Sequence, residues 1–328
     1  MINDVGDGDA IFIGLSRPEK NLVVILDGGR RKNSVSVMAN LHDFLRKHKK
    51  TSPDLIIGSH YDNDHIEGLL PVIRYYGAGI KQLWMFDTNG IIKLAGEYKA
   101  HLAKTRENMF PSEYDTAIGG SYTAGEVVYA EELIKSLAKE KEILEYARHM
   151  GIPVQEPVAG ECIFPGWEEV RVIGPTPAYY KTLFPEHLPL ETLLKDPVED
   201  AAEDALSLEP CAAFNRSLSP VTRVNLNSAI ISIQIEDRQF LFPADAGIQS
   251  FTHIPDYENK LKNIFWLKMP HHGSSNNINT DLINLFSPRQ VAISGDKYIS
   301  DALITCMRSK GIEVRTTRDE KGPLVYEF

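Results

Sequence analysis

The chain has 328 residues, 43% of them hydrophobic and 24% charged, and its formal charge is −10. This is the profile of a globular protein with room for a large core, and it disfavours a globally basic nucleic-acid binder. Three scattered cysteines without a CxxC spacing exclude a disulfide scaffold or cysteine zinc knuckle and suggest a reducing compartment; no apolar run reaches the roughly 18 residues of a membrane span, and Asp4, Asp7 and Asp9 interrupt any signal-peptide core, so the cytoplasm is the expected location.

Residues 9–14 and 22–27 read as two buried strands rich in Ile and Val, the second ending at Gly28-Gly29. Residues 35–49 carry Val37, Leu41, Phe44 and Leu45 at helical spacing and run into Arg46-Lys47-His48-Lys49-Lys50. Those cations suit a solvated helix C-terminus, or form a basic patch near a substrate. Residues 54–58 form a third strand leading into Ser59-His60-Tyr61-Asp62-Asn63-Asp64-His65, helical spacing resumes at Ile66, and 80–86 form a fourth strand. The opening segment is therefore α/β.

Leu133, Ile134, Leu137, Leu144 and Ala147 outline a long amphipathic helix stopped by Gly151 and Pro153, so 91–160 reads as a helical insertion. Residues 176–222 read as an irregular, acidic insertion, with an exposed connection over 189–210. Strands return at 229–235 and 239–243, joined as a hairpin, and at 264–269, 290–294 and 312–316. The sequence has no short internal repeat, and its two strand-rich α/β ends flank a helical middle, which suggests a single domain over 1–328 with an insertion.

His60-x-Asp62-x-Asp64-His65 places four metal-ligating side chains in six residues, between a strand and a helix. The competing explanation is a polar turn in which Asp62 or Asp64 caps the helix. Asp245, between small residues after a strand, is a bridging carboxylate or an ordinary turn residue. His271-His272-Gly273 after another strand suggests a further part of a site, and Asp27 before Gly28-Gly29 is a weaker candidate.

Taken in order, these segments resemble the metallo-β-lactamase fold, and within it the hydrolase domain of the competence-protein ComEC family. The residues that carry the resemblance are 4–10 (DVGDGDA), 25–29 (ILDGG), 59–69 (SHYDNDHIEGL), Asn227-Ser228, 242–247 (FPADAG) and 268–274 (KMPHHGS). The resemblance implies an α/β architecture, an αββα sandwich with a helical insertion, and a two-metal site at the edge of its sheets. By that resemblance His60, Asp62, Asp64 and His65 would be ligands, Asp245 would bridge the metals, and Asp27 would support the ligands from behind. His271 or His272 would complete the set, and the sequence leaves open which.

Departures from the family pattern bear on chemistry. Asp62 and Asn227 stand where many relatives have histidine, so one metal position trades imidazole for oxygen. Oxygen donors favour Mn²⁺ over Zn²⁺, with Mg²⁺ also suited. A Gly-His-Pro near the end of the competence-type domain is replaced by 294–301 (SGDKYISD), so Asp296, Tyr298 or Asp301 would have to serve instead.

The expected activity is a metal-dependent phosphodiesterase or nuclease that uses a hydroxide activated by two cations. Asp64, His272 as a proton donor and Asn227 as a phosphate contact are the expected catalytic residues, and Arg30, Arg31, Lys32 and Lys268 are candidate rim cations. Tyr179, Tyr180 and Phe184 either stack on bases or pack a local cluster, and Ser274 and Ser275 contact phosphate or cap a helix. Two other readings compete: a hydrolase of a small phosphorylated or ester metabolite, and a non-catalytic subunit that docks a protein partner through the helical insertion. The expected partner is nucleic acid or a small phosphorylated substrate, and no membrane.

Overall fold

The computed structural model describes residues 1–88, 124–185, 211 and 220–328. The acidic connection over 189–210 lies outside them.

Two sheets form. The first has the order β1-β2-β3-β4-β5: β1 (Ile11–Arg17) pairs antiparallel with β2 (Lys20–Leu26), and β3 (Leu55–Ile57), β4 (Gln82–Trp84) and β5 (Val154–Gln155) follow in parallel. The second has the order β11-β10-β9-β8-β7-β6. Here β6 (Val170–Gly174), β7 (Ile230–Ile235) and β8 (Arg238–Phe242) run antiparallel, while β9 (Trp266–Lys268), β10 (Gln290–Ile293) and β11 (Glu313–Thr316) continue in parallel with β8.

Strand alternation separates two faces of each sheet. Leu22, Val24 and Leu26 of β2, with Leu55, Ile57 and Trp84, meet Val170, Val172, Ile231, Ile233, Phe240 and Trp266 in the core between the sheets. The intervening Val23, Ile25, Ile56 and Leu83 face outward, where α1 (Ser34–Lys47), α3 (Leu69–Tyr76) and α4 (Ala124–His149) supply Leu41, Leu69, Ile73, Leu137 and Leu144. On the far side, Leu241, Leu267, Val291 and Ile293 pack against helices over Thr280–Phe286 and Asp301–Ser309. Burial on both faces explains why β2 and β10 read as continuous apolar runs. The result is an αββα sandwich, the architecture that the resemblance implied.

Some features depart from the sequence expectations. Strand β6 went unread, because only Val170, Val172 and Gly174 are buried on it, with Arg171 exposed between. Cys211 and Cys306 form a disulfide with a Cα–Cα distance of 4.6 Å, so the expectation of reduced cysteines does not hold for this pair; a sequence separation of 95 hid their proximity. Cys162 is a buried free thiol. No helix among the described residues is long and apolar enough to cross a membrane.

Helix α4 is fastened to the strand layer by a buried acid. Glu140 is 0% exposed and accepts hydrogen bonds from the Thr88 backbone N–H at 3.0 Å and from the Thr88 hydroxyl. Burial pushes its carboxyl up from 4.5 to about 8, against the pull of the Thr88 bonds. The folded state then retains the proton after the unfolded chain has released it. Stability therefore falls as pH rises from 4.5 to 8, by about 4–5 kcal/mol in all. Glu140→Gln keeps an acceptor for Thr88 and removes the titration. Its melting temperature, relative to the parent, is expected to rise from pH 5 to pH 9; parallel pH profiles for the two proteins would refute this.

Candidate metal centre

The parallel strands converge with their C-terminal ends at one edge, where open α/β sheets bind ligands. Asp27 follows β2, His60 follows β3, Asp245 follows β8, His271 and His272 follow β9, and Ser294 follows β10. The backbone at these ends is strained: Asp27, Ala244, His271 and His272 have φ of 59°, 50°, 43° and 52°, each a conformation costing about 1–3 kcal/mol in a non-glycine residue. Two glycine positions let the loops close. A Cβ on Gly8 (φ 107°) would come within 2.0 Å of the Asp64 carbonyl oxygen, and one on Gly68 within 1.9 Å of the Gly28 oxygen.

Asp245 is the centre. Its Oδ2 lies 3.3 Å from His65 Nε2, 3.6 Å from His271 Nε2, and 3.8 Å from both His60 Nε2 and His272 Nε2. Asp62 Oδ2 is 3.6 Å from His60 Nε2. Three sets of donors have ligand atoms within 4.8 Å of one another: His60, His65 and Asp245; Asp64, His65 and His272; and, behind them, Asp9, Asp27 and His65. Asp62 stands at the N-cap of α2 (Asn63–Ile66), but its side chain makes no capping bond. The cap explanation therefore accounts for its place and not for its carboxylate.

The tautomers follow from the hydrogen bonds behind the rings. His65 Nδ1 meets Asp27 Oδ2 at 2.8 Å. His60 Nδ1 meets Ser59 Oγ at 2.9 Å, and that hydroxyl donates to the same Asp27 oxygen at 2.7 Å, so it must accept from His60. In the same way His272 Nδ1 meets Ser294 Oγ at 3.1 Å while Ser294 donates to Asp9 Oδ1. His271 Nδ1 meets Asn277 Oδ1 at 3.0 Å, and the Asn277 amide group donates to the Asp245 carbonyl at 2.8 Å. Every Nδ1 is committed to its partner behind the ring, and every Nε2 is turned toward Asp245.

These are the conditions a cation needs. Nε2 of His60, His65 and His272 and Oδ1 of Asp245 are buried without a hydrogen-bond partner, an arrangement that is costly unless something binds them. Burial alone would raise the Asp245 carboxyl, but the neighbouring imidazoles hold it well below the ordinary carboxylate range. Asp64 is lowered too, burial being outweighed by His65, His272 and Arg30. Burial lowers the His272 imidazole below its usual range, against the pull of Asp245 and Asp9. Burial also opposes a charge on His65, but Asp245 and Asp27 on either side raise it well above its usual value. A cation at this position would have to displace the proton that His65 carries on Nε2, so metal affinity is expected to rise with pH. The donor set fits divalent cations.

Of the remaining expected residues, Asn227 is 0% exposed at the end of a short helix (Arg223–Leu226), with both amide atoms unpartnered. Arg30 reaches within 3.9 Å of Asp64 Oδ2 and remains partly exposed. Lys268 is not a rim cation. It is 0% exposed and donates to Asp9 Oδ2 at 2.9 Å, because β9 carries it into the interior. Tyr298 lies over His271 with ring centroids 4.5 Å apart, and Lys297 donates to its hydroxyl at 2.7 Å. Asp301 instead pairs with Arg318, and Asp296 is exposed. Tyr180 stacks on Phe86 and Tyr179 on His253, so these aromatics pack locally. Ser274 and Ser275 are buried, and the Ser274 hydroxyl accepts from the Asn276 N–H.

Sequence reasoning missed Ser59, Ser294 and Asn277, which orient the imidazoles, and the Asp9–Lys268 pair. Only the position of Ser59 next to His60 offered a signal. It also left open the choice between His271 and His272, whereas both project Nε2 toward Asp245.

No family model and no curated protein matches the chain. A solved structure that does is a point mutant of the CmlA beta-hydroxylase, at 11% sequence identity and a TM-score of 0.41 over 96% of this chain and 52% of that one. The chain thus spans about half the length of that protein.

Proposed function

We propose that the chain is a metal-dependent hydrolase of phosphodiesters, with nucleic acid, most simply DNA, as its substrate. The observation that carries this reading is the set of unpartnered Nε2 atoms around Asp245 Oδ2, joined by the carboxylates of Asp62 and Asp64. His60, Asp62 and Asp245 would hold one divalent cation, and Asp64, His65, His272 and Asp245 a second, with His271 beside them. Two such cations supply a nucleophile at neutral pH and polarise phosphoryl oxygens. Oxygen-rich coordination at the first position favours Mn²⁺ or Mg²⁺ over Zn²⁺.

The chain's own groups then bind and orient. Arg30 and Lys297 flank the carboxylates at the mouth and suit non-bridging phosphate oxygens. The Asn227 amide, whose two polar atoms are buried and unpartnered, would donate to a phosphoryl oxygen. In this reading His272 holds metal through Nε2, and its Nδ1 proton is committed to Ser294, so leaving-group protonation falls to the Lys297–Tyr298 pair. A small phosphorylated metabolite is the second reading. It is favoured by α4, which packs beside α2 and α3 and brings Glu132 to Asn63 at 3.4 Å, narrowing that side of the site.

Hydrolysis of bis-p-nitrophenyl phosphate tests the proposal. Turnover is expected with Mn²⁺, and its loss in Asp64→Ala. Absence of turnover with Mn²⁺, Mg²⁺ and Zn²⁺ in protein shown to carry metal would overturn it. If turnover occurs, competition by DNA oligonucleotides or by mononucleotides decides between polymer and metabolite.

A further inference from the structure

A cleft of about 800 Å³ opens at the opposite end of the first sheet, within the roughly 300–1,000 Å³ of small-molecule sites. It lies where β1 ends at Arg17, β2 begins at Lys20, and Lys81 precedes β4. The basic C-terminus of α1 reaches it as Lys49 and Lys50. Its wall is the loop before β6, which contributes Phe164 and Trp167.

The cations here are held in place. Asp54, 2% exposed, accepts from Lys50 at 2.6 Å and from Lys81 at 2.8 Å on the same oxygen, Oδ1. Its other oxygen accepts the Val23 N–H at 3.0 Å. One carboxylate thus gathers two ammonium groups and neutralises only one. Arg17 pairs with Glu169 and lies 4.4 Å from the Trp167 ring centroid. Lys20 donates to the Gly166 carbonyl at 2.8 Å and sits 5.1 Å from the same ring. Lys49 is exposed and held at φ 53° by the helix end. Five cations therefore meet four carboxylates, those of Glu19, Asp54, Glu168 and Glu169, on a chain whose formal charge is −10.

We propose that this cleft binds the phosphate group of a small phosphorylated ligand, at a site separate from the metal centre. The cluster is net positive, which suits a phosphate group, and its fixed ammonium and guanidinium groups give charge-assisted bonds. Trp167 is nearly buried, with Arg17 and Lys20 over its ring, so it offers no open face for a base. The local confinement of the charge, on an acidic chain, favours a small ligand over a polymer.

Calorimetric titration of pyrophosphate into the metal-free full chain tests this independently of the activity. One saturable event is expected, unchanged in Asp64→Ala and weakened about 10-fold or more in Lys20→Gln/Lys49→Gln. Both substituted side chains are exposed, and the melting temperature of the double variant should match the parent. Absence of a saturable event, binding retained in the double variant, or binding lost in Asp64→Ala would each overturn the proposal. So would displacement of pyrophosphate by a single-stranded oligonucleotide, which would make the cleft a polymer site.

Discussion

Asp245→Asn is expected to abolish stoichiometric metal loading and to lower phosphodiester turnover by about 10³-fold or more. The substitution preserves shape and removes the charge on which four imidazoles converge. Oδ2 of Asp245 is the atom common to His60, His65, His271 and His272, at 3.3 to 3.8 Å, and no other carboxylate among the described residues takes that place. An amide there offers one neutral oxygen and an N–H group that repels cations. Elemental analysis after dialysis against Mn²⁺ reads the first effect, and bis-p-nitrophenyl phosphate hydrolysis the second. A variant that retains two metal equivalents per chain would remove Asp245 from the centre of the site. Because the anion is also lost from among buried imidazoles, the metal-free variant should lose the His65 proton more readily than the parent.

Lys268→Met is expected to destabilise the metal-free protein by about 3–5 kcal/mol, since breaking a buried ion pair leaves one charge uncompensated. Lys268 and Asp9 are 0% and 1% exposed and 2.9 Å apart. Burial would raise the Asp9 carboxyl, but Lys268 and the nearby histidines outweigh it and bring it down to about 2. The double variant Asp9→Asn/Lys268→Met should recover most of that stability, because a neutral amide is far cheaper to bury than a lone carboxylate. It should not recover metal affinity. Asp9 holds Ser294, and Ser294 fixes the His272 proton on Nδ1; loss of such outer partners typically weakens metal binding by about 10–100-fold. Urea denaturation measures the first quantity and metal titration the second. A single variant within about 1 kcal/mol of the parent would contradict the burial argument.

These two predictions mark where the sequence was readable. His60, Asp62, Asp64 and His65 stood out because the metal donors of one loop are contiguous. The strands β2, β3 and β10 stood out because burial on both faces leaves no polar residue to interrupt them. Asp245 was less distinct, since a lone aspartate after a strand has the same local pattern as a turn residue. What could not be read was contact across the chain. Lys268 looks like any surface lysine until β9 carries it between the layers, where its partner is Asp9, a residue from the opposite end of the sequence. Ser59 and Ser294 are ordinary hydroxyls until the sheets bring each between an imidazole and a buried aspartate. The same holds for Cys211 and Cys306, whose pairing depends on how the helix over Asp301–Ser309 docks against the second sheet.

The donors are divided between two lobes of the molecule. His60, Asp62, Asp64 and His65 follow β3 of the first sheet, whereas Asp245, His271 and His272 follow β8 and β9 of the second. A cation shared among them, as proposed, would be a clasp between the lobes as well as a reagent. During synthesis the N-terminal half emerges with its loop complete but without Asp245, so it meets cations with at most a partial, weakly holding set. Under the proposed metal-binding reading, tight loading would wait until the C-terminal lobe has emerged and docked, which would make metal acquisition a checkpoint on completed assembly.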